Sequence, residues 1–150
     1  MASRQTQEFQ VNSARDALAL LSRLVYEQFG EQALPLIREA WYKLGASRGK
    51  KMKETMSACG LEAAGEAFVA GVRKRDPRVE LLEVSDERLH IRGYECPLGL
   101  ANTDRKLCEA MMALDRGIFE SASGEALNLN IHKTVAGGDP YCETVFTAAK

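Results

Sequence analysis

Residues 78–94 read RVELLEVSDERLHIRGY, and this stretch decides the fold. Two β-prone runs, Val79 to Val84 and Leu89 to Tyr94, flank Ser85-Asp86-Glu87-Arg88, a polar turn, so the segment predicts a hairpin. Asp76-Pro77 stands just before it, where the residue ahead of a proline avoids helical angles. The hairpin therefore begins where the helical pattern of the preceding sequence ends.

Upstream of that boundary every apolar pattern has helical period. Ser13 with Asp16 three residues later reads as a capping box, and Ala14, Ala17, Leu18, Leu21, Leu24 and Val25 follow at helical spacing, which predicts a helix over 14–29. Gly30 terminates it and Pro35 suits the first turn of a second helix, which the pattern carries to about Cys59. Gly45 and Gly49 inside that helix each cost up to about 1 kcal/mol against alanine. They imply either a bend or a close neighbour. Leu61, Ala64, Phe68 and Val72 make a third helix.

Downstream, Asp104 to Ser121 predicts one continuous fourth helix capped by Asn102 or Thr103. Leu127, Leu129 and Ile131 then alternate with Asn128, Asn130 and His132, and Gly137-Gly138-Asp139-Pro140 turns the chain into a strand over 141–147. The reading is α+β: a helical N-terminal half packed on an antiparallel sheet made of two hairpins with an intervening helix, one domain over residues 1–150. The chain is expected to close a core without staples, since 45% of its residues are apolar and 27% charged.

Charge disfavours generic nucleic-acid binding, because the net charge is −1 and a phosphate-tracking protein shows a basic excess. The balance is uneven, +3 over residues 1–80 and −4 over 81–150. Arg48, Lys50, Lys51 and Lys53 form one basic run, and Arg73, Lys74, Arg75 and Arg78 another that complements a helix C-terminus. No run approaches a membrane span and Met1 to Gln10 is too polar for a signal peptide, so a cytoplasmic protein without membrane partners is expected. Cys59, Cys96, Cys108 and Cys142 lie far apart with no C-x-x-C pair, which argues for reduced thiols.

Phosphate-loop, dinucleotide-fingerprint, H-E-x-x-H and G-x-S-x-G motifs are all absent. With only His90 and His132, a multi-histidine metal centre is excluded by this reading. Chemistry concentrates instead in the second half, where Cys96, Cys108 and Cys142 frame one region as candidate nucleophiles or zinc ligands. A cysteine hydrolase would use Cys96 or Cys108 as nucleophile, His132 as base, and Asp115 or Asp139 to orient or activate water. The competing reading is a binding module with an apolar pocket drawn from Trp41, Met52, Met56, Phe68 and Met111, the cysteines being structural or holding metal. A homodimer is compatible with either.

The ordered set Glu95-Cys96-Pro97, Cys108-Glu109, Asp115, Asn128 to Thr134 and Gly138-Asp139-Pro140-Tyr141-Cys142 through Phe146 resembles the L-2-amino-thiazoline-4-carboxylic acid hydrolase family over about residues 78–147. That resemblance implies hydrolytic opening of a small cyclic C–N bond. The layout is also similar to 4-vinyl reductase type domains, small-molecule sensors in which an early Cys, a Glu-x-x-Cys and a last Cys hold zinc. Counting back from Cys142 by that spacing puts Ile131 and Thr134 where the Glu and middle Cys belong, so Cys108 would have to substitute from another element.

Overall fold

A computed structural model describes residues 10–96, 98–100 and 103–149. Helix α1 spans Ala14–Phe29, and a 3-10 turn over Gly30–Ala33 leads into α2, Leu34–Thr55, and α3, Gly60–Val72. Strands β1, Glu80–Val84, and β2, Arg88–Gly93, form the first hairpin. Helices α4, Arg105–Met111, and α5, Ala113–Ser123, precede β3, Leu127–Lys133, and β4, Cys142–Ala148. The four strands make one antiparallel sheet in the order β1-β2-β4-β3. The α+β expectation holds, with the last strand, β4, pairing β3 on one side and β2 of the first hairpin on the other.

The Ser13 cap is realised, Ser13 Oγ accepting from the Asp16 amide at 3.1 Å, while the Asp16 carboxylate reaches one residue further back and accepts from the Asn12 amide at 3.0 Å. Three details differ from expectation. Helix α2 ends at Thr55, not Cys59, where the Thr55 hydroxyl donates to the Met52 carbonyl and Met56 turns extended. The fourth helix is two helices, interrupted at Met112, whose ψ of −7° leaves the ideal helical value. Its cap is Asp104, whose carboxylate accepts from the Leu107 amide, and not Thr103, while Asn102, like Pro97, lies outside the described residues.

Gly45 and Gly49 resolve as a close neighbour. A Cβ on Gly45 would sit 2.0 Å from the Leu114 carbonyl oxygen, one on Gly49 2.3 Å from that of Ile118, and one on Gly117 of α5 2.5 Å from that of Tyr42. Helices α2 and α5 thus meet backbone to backbone. Their contact leaves Trp41 fully buried, its indole N–H donating to Ser22 Oγ at 2.9 Å, and Ser22 in turn donating to the Leu18 carbonyl. On its other side α5 reaches the sheet through Phe119, in edge-to-face contact with Phe146 of β4 (centroids 4.8 Å apart) and with Phe68 of α3 (4.9 Å).

Alanine normally favours a helix interior over glycine by up to about 1 kcal/mol, but at Gly45 or Gly117 the overpacking cost of about 1–3 kcal/mol opposes it. Gly45→Ala and Gly117→Ala are therefore expected to destabilise the protein in urea titrations. Gly71→Ala, with nothing within 4 Å of the added carbon, is expected to stabilise it. Equal effects at all three positions would refute the helix contact.

Candidate functional site

Alternation along β4 sends successive side chains to opposite faces of the sheet, and the residues singled out from sequence divide accordingly. Cys142 shares its face with Phe146, the face covered by helices, and Glu143 points to the outer face.

On the inner side the three cysteines meet at one corner. Cys96 follows β2 and is half-buried, Cys108 lies buried in α4, and Cys142 opens β4. Each sulfur has a donor: the Leu100 amide to Cys96 at 3.4 Å, the Thr134 hydroxyl to Cys108 at 3.1 Å, and the Val135 amide to Cys142 at 3.4 Å. Burial pushes the Cys108 thiol up to about 12; the Thr134 hydrogen bond pulls against it, while the negative charges that Cys96, Cys142 and Asp115 would carry reinforce it. Burial also raises Cys96, against the amides of Leu100, Leu98 and Gly99. Thr134, the residue standing where the sensor-type pattern has its middle cysteine, therefore touches Cys108 itself.

Zinc does not fit this corner. Bonds of about 2.3 Å to sulfur place tetrahedral sulfurs about 3.8 Å apart. Among the described residues the group whose ligand atoms all lie within 4.8 Å of one another is His90, His132 and Glu143, and the three thiols do not form such a group.

The other sequence candidates scatter. Asp139 is a brace for the turn: its carboxylate accepts from the Thr134 amide at 2.9 Å and its own amide donates to the Thr134 carbonyl at 3.1 Å. His132 is exposed on the outer face, its ring 5.9 Å from that of His90, so the sheet separates it from Cys108. Trp41 and Met111 are fully buried core, whereas Met52, Met56 and Phe68 are half-buried on the margin of that core. A separate polar groove of about 650 Å³ follows β3 and is lined by Arg38, Arg105, Arg116, Asn128 and Asn130 among others.

Asp115 lies in the first turn of α5. Burial pushes it up to about 6 although Arg15 and Arg48 pull it down, and among the described residues no hydrogen bond or ion pair ties it. Burial also lowers Arg48, which feels Arg15 and Arg75 as like charges.

Sequence reasoning missed Glu143 and discounted His90. The His90 Nε2 atom lies 3.1 Å from Glu143 Oε1, and the Arg92 guanidinium donates to the same oxygen at 2.8 Å, holding the carboxyl below its usual range together with His90. The available signal was alternation: His90 sits between inward Leu89 and Ile91, and Glu143 between Cys142 and Thr144.

The chain matches the model of a family described as L-2-amino-thiazoline-4-carboxylic acid hydrolase over residues 11–146. Among curated proteins no sequence matches. The fold is similar to the phenol-responsive sensory domain of the transcription activator PoxR, solved with phenol, at TM-score 0.66 and 17% identity over 93% of this chain and 76% of that one. It is also similar to trafficking protein particle complex subunit 3 from Naegleria fowleri, covalently bound to palmitic acid, at TM-score 0.59 and 14% identity over 91% of this chain and 95% of that one. No helix among the described residues is long and apolar enough to cross a membrane.

Below about pH 4 Asp115 is protonated folded and unfolded, and no penalty arises; above about pH 6 it is ionised in both, and the folded state bears the full desolvation cost. Asp115→Asn is therefore expected to stabilise the protein above pH 6, with the gain vanishing below pH 4. Two units correspond to up to about 3 kcal/mol, and partial contact with solvent reduces this to about 1–3 kcal/mol. Denaturant titrations across that window check it, and a pH-independent gain would refute the buried-carboxyl assignment.

Proposed function

The chain belongs to the L-2-amino-thiazoline-4-carboxylic acid hydrolase family, and within it we propose a small-molecule-binding domain that does not work through a cysteine–histidine pair. The observation that carries this reading is Cys108. Burial raises this thiol to about 12, which disfavours thiolate, the nucleophilic form, at pH 7. Its hydrogen-bond partner is the hydroxyl of Thr134, while His132 lies across the sheet. The cysteine corner then serves as a dry, hydrogen-bonded joint between α4 and the two hairpins.

We assign the ligand to the surroundings of Met52, Met56 and Phe68, half-buried side chains whose flexible thioethers and aromatic face suit an apolar or aromatic molecule. The likeness to a phenol-bound sensory domain and to a palmitate-bound subunit supports this class of ligand. Hydrolysis is the second reading, and Asp115 favours it, because a carboxyl titrating near 6 is matched to general acid–base catalysis at neutral pH. A homodimer is also proposed: exposed Leu21, Leu24 and Phe29 of α1 and Leu36 of α2 place apolar side chains where a second copy would cover them.

Thermal denaturation with phenol, alkylphenols and palmitate is the test. A ligand at about 100 times its Kd adds about 2.7 kcal/mol, a rise of roughly 5–10 °C in Tm for a chain of this size. A protein blind to all of them, yet opening 2-amino-thiazoline-4-carboxylate with turnover lost in Asp115→Asn, would replace binding with hydrolysis. For the dimer, sedimentation equilibrium is expected to give twice the chain mass and Leu24→Lys to shift it to monomer; a monomeric wild type refutes it.

A further inference from the structure

We propose that His90, His132 and Glu143 form a binding site for a zinc-class divalent cation on the outer face of the sheet, with a coordination position open to water. Three neighbouring strands supply one ligand each: β2 gives His90, β3 His132 and β4 Glu143, with donor atoms all within 4.8 Å of one another.

The register explains how they meet. Ile131 pairs with Thr144 and Lys133 with Glu143, so two residues of β3, His132 and Lys133, lie opposite one residue of β4. This bulge aims His132 at Glu143, the use to which bulges near functional sites are put. His90 pairs with Val145 and reaches Glu143 along the diagonal.

The chemistry of the set is that of a metal site. Two imidazoles and one carboxylate are a borderline donor set suited to zinc, which takes three protein ligands and one water where it is reactive. His90 Nε2 is buried and lies 3.1 Å from Glu143 Oε1 without meeting hydrogen-bond geometry, so its neighbour is the carboxylate that would share the cation. A buried nitrogen lacking a well-aligned hydrogen bond is costly, and a cation between it and the carboxylate would satisfy both. Arg92 occupies Oε1 of Glu143, which orients the carboxylate as an outer-shell partner does, and among the described residues Oε2 accepts no hydrogen bond. Zinc bonds of about 2.0–2.1 Å place donors about 3.4 Å apart, a closure that the exposed His132 side chain has room to make.

The site lies on the opposite face from the cysteine corner and stands independently of the ligand reading. Cobalt(II) titration of the reduced, chelator-stripped full chain tests it, with competition by zinc. One cobalt per chain is expected, with d–d bands and no intense sulfur-to-cobalt charge transfer. His132→Ala, at an exposed position that the fold does not need, and Glu143→Gln are each expected to weaken binding by more than about 100-fold, the upper end for loss of an outer-shell partner. Cys108→Ser is expected to leave it unchanged. Absent binding, unchanged affinity in His132→Ala, or a sulfur charge-transfer band abolished by Cys108→Ser would each overturn the assignment.

Discussion

The backbone contact between α2 and α5 is the constraint on which the remaining structure depends. Gly45, Gly49 and Gly117 leave no side chain between the two helices, so carbonyl oxygens of each lie where Cβ atoms of the other would be. Dispersion rises steeply at such distances, and a pair of helices packed this closely has one register. Once α5 is held, Phe119 is delivered to Phe146 and Phe68, and the sheet is fixed against both helices. The interruption at Met112 then sets α4 apart from α5, with Cys108 beside Thr134.

The sheet is also a partition between two kinds of chemistry. On its covered face lie three thiols, each supplied with a donor, and burial holds those of Cys96 and Cys108 protonated. On its outer face the same strands gather His90, His132 and Glu143, Arg92 donates to Glu143, and Arg92 lies 4.5 Å from the ring centre of Tyr141. Adjacent residues of β4, Cys142 and Glu143, belong to different environments because a strand turns successive side chains through the sheet. A cysteine and a histidine from one half of the chain are thereby kept apart.

Much of the fold was legible in particular residues. Ser13 and Asp16 announced the start of α1, and Asp76-Pro77 the end of the helical half. The two glycines of α2 were legible as an alternative, bend or close neighbour, which needed a partner helix to resolve. The stop at Thr55 and the break at Met112 carried no glycine or proline to mark them, so helical periodicity ran through both. Asp104 was read as part of a helix when its side chain closes the first turn. At the site, Cys96, Cys108 and Cys142 were found as a group, while His132 was assigned to them from proximity in sequence, which says nothing of which face a strand presents.

Periodicity, capping and turn chemistry are local, acting over a few residues, and by themselves they determined the helical and strand segments, the α+β class and the alternation along β3. Strand order is not local. That β4 lies between β2 and β3 follows from pairing residues more than 50 positions apart, Arg92 with Glu143, which no local pattern specifies. The convergence of His90, His132 and Glu143 rests on that order and on one bulge, and the raised titration of Cys108 and Asp115 on burial by distant elements. Desolvation is a property of the packed molecule, so no spacing of residues along the chain encodes it.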